Sequence, residues 1–65
     1  MPVVNIDMWP VDEKLKKNII EKITKSFVEL EIPAEAVTVI IRETPMENWG
    51  TGGEQHSVKF KDLKK

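Results

Sequence analysis

The chain has 65 residues and nearly balanced charge, ten Lys and Arg against eleven Asp and Glu, with no cysteine and one histidine. Disulfides and thiolate metal sites are therefore excluded, and an imidazole zinc site is not expected. So short a domain buries only about 60% of its unfolded surface, which leaves self-association as the expected source of added stability.

Val3 to Trp9 reads as a strand, because Val4, Ile6 and Met8 alternate with Asn5 and Asp7. Val3 and Trp9 interrupt the polar face, which is expected to meet another subunit. Pro10 has no N–H for a ladder and ends the strand. Asp12 is placed to cap a helix, with Glu13 favourable beside its dipole. From there to Leu30 the period is helical. Leu15, Ile19, Ile20, Ile23 and Phe27 form a stripe that Val28 and Leu30 widen, and Lys16, Lys17, Glu21, Lys22 and Lys25 take the solvated side. Glu21 and Lys25 stand in the favourable order for a helical ion pair. Pro33 biases Ile32 away from helical geometry and stops the helix near there.

Ala36 to Glu43 forms a second strand, and its β-branched run of Val37, Val39, Ile40 and Ile41 fits a strand covered on both faces. Strand, helix and strand with short connections make a βαβ unit, its strands parallel and its crossover right-handed. After Pro45 the stretch Asn48-Trp49-Gly50-Thr51-Gly52-Gly53 is turn chemistry. His56 to Phe60 is expected to add a short strand in a terminal hairpin or arm. The fold class is α/β (α+β): one domain over residues 1–65, a βαβ protomer with a C-terminal hairpin.

Interspersed charge leaves no basic footprint for nucleic acid. The lysines Lys59, Lys61, Lys64 and Lys65 read as a solvated C-terminus. No apolar run approaches the ~20 residues of a membrane span, and the N-terminus lacks a signal-peptide layout. The expected location is the cytoplasm, with neither membrane nor nucleic acid as partner.

Conventional site motifs are absent. Ser26 and Ser57 lack a nucleophile-elbow context, and no helical pattern directly follows Gly50-Thr51-Gly52-Gly53, which argues against a phosphate cradle. The front of the chain differs. Pro2 follows the initiator methionine, and a small second residue favours methionine removal, which would expose a secondary amine. An α-amino group titrates near ~7.7–8.0, apolar surroundings lower that value, and a base poised near the working pH suits proton transfer. Pro2 is a candidate catalytic residue on this ground, and equally a strand start that needs no donor.

Pro2-Val3-Val4-Asn5-Ile6, the helix, Val37-Thr38-Val39-Ile40-Ile41 and Asn48-Trp49-Gly50-Thr51-Gly52-Gly53-Glu54 together resemble the 4-oxalocrotonate tautomerase family over nearly the whole chain. The resemblance implies protomers that pair into dimers and commonly build a hexamer, acting on a small carbonyl or enol substrate. It implies that Pro2 takes a proton from an enol or activated carbon and returns it elsewhere. Such transfer needs a base and oxyanion stabilisation, so no metal or organic cofactor is expected. Trp49 occupies the position of the aromatic residue that walls the proline pocket in the family, and it also suits an interface anchor.

Family members acting on unsaturated keto-diacids carry two carboxylate-binding arginines. Those positions fall on Val11 and Thr38, so Thr38 stands at a substrate-binding position without a cation. Arg42, the only arginine, lies on the same strand face as Thr38. It is either a substrate contact in an adjacent subunit's pocket or the partner of an acid such as Glu43 or Glu47. Lys14 and Lys16 are the cations near the helix start, without arginine's fork. The expected function is a cofactor-independent tautomerase for a small 2-oxo acid. The alternatives are a lyase, hydratase or dehalogenase using the same amine, and a non-catalytic oligomeric member of the family.

Overall fold

β1 (Val3–Met8) and β2 (Thr38–Glu43) run parallel, with Val3 beside Thr38 and Met8 beside Glu43, and α1 (Glu13–Val28) makes the crossover between them. A computed structural model describes residues 1–63; Lys64 and Lys65 of the basic tail lie outside the described residues. Tight 3-10 turns at Ala34–Ala36 and Met46–Asn48 flank β2. The chain then forms the antiparallel hairpin β3 (Gly50–Thr51) and β4 (Glu54–Gln55), the short helix α2 (His56–Lys59) and a final 3-10 turn at Lys61–Leu63.

The alternation in β1 is kept in space. Val4, Ile6, Met8, Val39 and Ile41 are half-buried, as are Ile19, Ile23 and Phe27 on α1, and these side chains make the sheet–helix layer. The opposite sheet face, with Val3, Asn5, Asp7, Thr38, Ile40 and Arg42, is open. β2 was expected to be covered on both faces, yet a single chain leaves its Ile40 42% exposed, and on the same face Val3 of β1 is 58% exposed. The outer face of α1 likewise carries an apolar groove lined by Ile20, Thr24 and Val28.

α1 begins as its sequence requires, with the Asp12 carboxylate accepting the Leu15 N–H at 2.8 Å. It stops at Val28, two residues before the end of its apolar pattern. The stop is a Schellman turn in which Ile32 N–H donates to the Phe27 carbonyl at 3.1 Å and Glu31 N–H to the Val28 carbonyl at 2.9 Å. Glu31 takes the left-handed position with φ of 69°, where a Cβ is strained and glycine is not. Glu31→Gly is therefore expected to stabilise the fold by about 1 kcal/mol. Urea unfolding checks this, and a midpoint at or below the parent's would contradict it.

Two local expectations are corrected. Glu21 pairs with Lys17 at 3.4 Å and not with Lys25. Both lysines lie one turn from Glu21, and an exposed pair is worth too little to fix the choice. His56 to Phe60 forms α2 where a strand was expected, and the Phe60 N–H donates to the His56 carbonyl at 2.9 Å. Gly52 and Gly53, at φ of 62° and 81°, complete the hairpin in a two-residue connection. The strands therefore end before His56. A helical turn then brings His56 and Phe60, four residues apart, onto one face.

Met46, 7% exposed, is the one buried residue among those described. The accessible surface of 5199 Å² exceeds the roughly 4,200 Å² expected of a folded monomer of this mass. The radius of gyration of 14.8 Å exceeds the roughly 11 Å of a compact chain of this length. A single chain therefore leaves much apolar surface open, Val3 and Ile40 on the sheet among it. Among the described residues, no helix is long and apolar enough to cross a membrane.

Candidate active site

Pro2 stands immediately before β1, half-buried, with its carbonyl accepting the Thr38 N–H at 3.0 Å. A residue without an N–H loses nothing at the first position of a strand. Met1 precedes it, 96% exposed. Thr38 lies beside Val3 on the open sheet face. The structure thus brings Pro2 and Thr38 together.

Arg42 is placed at the other end of that face. Its guanidinium donates from Nε to the Asp7 carboxylate at 3.1 Å, and both side chains are more than half exposed. The expected partners, Glu43 or Glu47, are corrected to Asp7 for a reason of parity. Parallel register sets Asp7 directly beside Arg42, whereas Glu43, one residue on, points to the opposite face. There Glu43 accepts the Val11 N–H at 2.8 Å and the Lys16 ammonium at 2.9 Å, which commits Lys16 as well.

These contacts, the Val11 N–H first and then Lys16, hold the Glu43 carboxyl below its ordinary value of 4.5. A lowered folded pKa contributes stability that is complete above the unfolded value and is lost as pH falls through the folded one. Glu43→Gln is accordingly expected to flatten the acid-side loss of melting temperature below pH 4.5. A variant that declines as steeply as the parent would contradict this.

Trp49 is half-buried and donates its indole N–H to the Thr44 carbonyl at 2.8 Å. Thr44 follows the last residue of β2, while Thr38, beside Pro2, is its first. At the strand rise these ends are roughly 20 Å apart. One chain therefore does not bring Pro2 and Trp49 together, and a pocket containing both needs two chains.

Around Trp49 lies a cluster that sequence reasoning missed. The Trp9 indole N–H donates to His56 Nδ1 at 3.2 Å, and the Thr51 hydroxyl lies 2.8 Å from His56 Nε2. Trp49 stacks on the His56 ring with centroids 5.6 Å apart and planes at 16°. Phe60 meets His56 edge-on at 5.1 Å and Trp9 at 5.6 Å. Trp9 was expected to meet another subunit, but it turns onto its own chain's C-terminal segment. The available signal was the four-residue spacing of His56 and Phe60, which fits a helix as well as a strand. Among the described residues, no group of three or more His, Cys, Asp or Glu side chains is arranged to hold a metal ion.

A family model described as tautomerase enzyme matches residues 2–59. A 2-hydroxymuconate tautomerase of Comamonas testosteroni is 45% identical over 42 residues, covering 63% of this chain and 67% of that protein. Among solved structures, TomN, a 4-oxalocrotonate tautomerase homologue in the tomaymycin biosynthetic pathway, superposes with a TM-score of 0.86. It is 28% identical, over 97% of this chain and 100% of its own. A structure from work on the 4-oxalocrotonate tautomerase isozymes of Methylibium petroleiphilum superposes with a TM-score of 0.79 at 36% identity, over 86% of this chain and 94% of its own. With its parallel βαβ unit and terminal hairpin, the molecule is a small α+β protomer of the 4-oxalocrotonate tautomerase type. The chain belongs to the tautomerase family.

Proposed function

We propose that the chain is a cofactor-independent tautomerase whose general base, and then general acid, is the amine of Pro2 freed by removal of Met1. It moves a proton between enol and keto, or unconjugated and conjugated, forms of a small 2-oxo acid. The observation that carries this reading is the position of Pro2. The family match begins on it, and its backbone is fixed to β2 through Thr38, so a freed amine would sit half-buried at a defined point. Partial burial beside apolar neighbours disfavours the ammonium form and brings a secondary amine toward the working pH.

The remaining roles are proposed to agree with where the side chains lie. The Thr38 hydroxyl, nearest to Pro2 on the open face, donates a hydrogen bond to an oxygen of the substrate. Trp49 from a second subunit walls the pocket, because its own chain holds it at the far end of β2. Arg42 serves the anionic end of a substrate bound at an adjacent subunit, exchanging Asp7 for a carboxylate. Dimers, assembled as a hexamer, cover the open sheet face. The domain spans residues 1–65 and works in the cytoplasm.

The Arg42–Asp7 pair favours a second reading, in which the same amine performs hydration, decarboxylation or dehalogenation on a substrate with less anionic charge to hold. Water uptake, carbon dioxide or halide release separates these from a tautomerase, which shows none of them. The experiment for the primary reading couples intact mass to turnover of 2-hydroxymuconate. Chains beginning at Pro2 should be active and chains retaining Met1 inactive.

A further inference from the structure

The ring of His56 is fixed in more ways than a surface histidine requires. An indole N–H can only donate, so the Trp9 contact assigns the lone pair to His56 Nδ1 and the ring proton to Nε2, which donates to the Thr51 hydroxyl. Hydrogen bonds at both ring nitrogens restrain the imidazole's torsional freedom. Phe60 closes one edge at 5.1 Å, and the free face lies nearly parallel to the Trp49 indole. Trp49 is otherwise held by its N–H bond to the Thr44 carbonyl, about which a flat ring can still rock. The imidazole face blocks that rocking.

We infer that His56, clamped by Trp9 and Thr51, is a positioning residue that sets the orientation of the Trp49 indole and through it the fit of the substrate. The inference rests on the reading of Trp49 as a pocket wall. With both ring nitrogens committed to Trp9 and Thr51, His56 has none left for a proton transfer, so its effect falls on binding. A rigid wall spares the ordering cost that a loose indole would impose on each binding event.

The test compares His56→Phe with His56→Asn in the full chain, with size-exclusion chromatography confirming assembly. Phenylalanine keeps a ring against Trp49 but provides neither hydrogen bond. Asparagine places an acceptor near the Nδ1 position for Trp9, but it is too short to reach Thr51 and has no ring to lay against Trp49. His56→Phe is expected to raise KM for 2-hydroxymuconate about five- to tenfold with kcat nearly unchanged, as loss of uniform binding does. His56→Asn, which also loses the ring face, is expected to raise KM at least as much. Without substrate, the Trp49 indole N–H resonance should shift or broaden in both variants.

An unchanged KM in His56→Phe overturns the inference, and so does a parental KM in His56→Asn. If His56→Phe fails to fold, Thr51→Val removes one clamp at an exposed hairpin position. A raised KM and a moved Trp49 resonance then support the inference, and a parental KM with an unmoved resonance overturns it. Because the resonance is read without turnover, failure of the Pro2 reading registers separately, as activity that survives retention of Met1.

Discussion

Turnover of 2-hydroxymuconate is expected to fall about 10²- to 10⁴-fold when Met1 is retained, the range that a positioned general acid–base group contributes. An amide nitrogen has no basic lone pair, so retention deletes the base while changing only the chain beyond β1. Pro2→Ala is the milder test. It leaves a primary amine, more hydrated and free to rotate, and a loss of about 10²-fold is expected from misplacement alone. The Pro2 carbonyl that binds Thr38 survives both changes as a backbone group, so melting temperature and assembly should stay near the parent's. Intact mass identifies each terminus. Equal rates for the proline-started, Met1-retaining and Pro2→Ala chains would remove proline from the mechanism.

Ile40→Asp is expected to abolish assembly and, with it, activity. Ile40 lies at the middle of the open sheet face and is 42% exposed in one protomer, with Val3 58% exposed on the neighbouring strand. Covering that face with another copy would bury an unpaired carboxylate, at a cost of about 3 kcal/mol or more per chain. That corresponds to at least about a hundredfold in the association constant. Turnover should fall in step if the pocket takes Trp49 from a second chain, as proposed. Sedimentation velocity at micromolar concentration reads the first effect and the 2-hydroxymuconate assay the second. A parent that sediments as a monomer, or a variant that sediments as the parent does, would contradict the proposal.

The features legible in the chain were those set by neighbours in sequence. Alternation at Val4, Ile6 and Met8 reports strand geometry directly, and Asp12 caps because its carboxylate reaches the Leu15 N–H within one turn. The proline after Met1 and the Trp49-Gly50-Thr51-Gly52-Gly53 stretch were equally readable, since backbone freedom at the two final glycines is a property of those residues. The features missed were choices among nearly equivalent partners. Glu21 had a lysine one turn away on each side. Arg42 had acids nearby in sequence, yet register across 35 residues gave it Asp7. His56 offered a spacing consistent with helix or strand, and a contact 47 residues back to Trp9 accompanies the helical outcome.

By itself, then, the sequence determined a βαβ protomer, its helix start, its hairpin turn and the prominence of Pro2, because period, capping and glycine torsions are local properties of a backbone. Only the tertiary structure decided that Trp49 lies at the far end of β2 from Pro2, that Arg42 is held by Asp7, and that His56 is clamped between Trp9 and Thr51. Those outcomes depend on strand register and on packing between distant segments, where a shift of one residue changes the face and every partner on it.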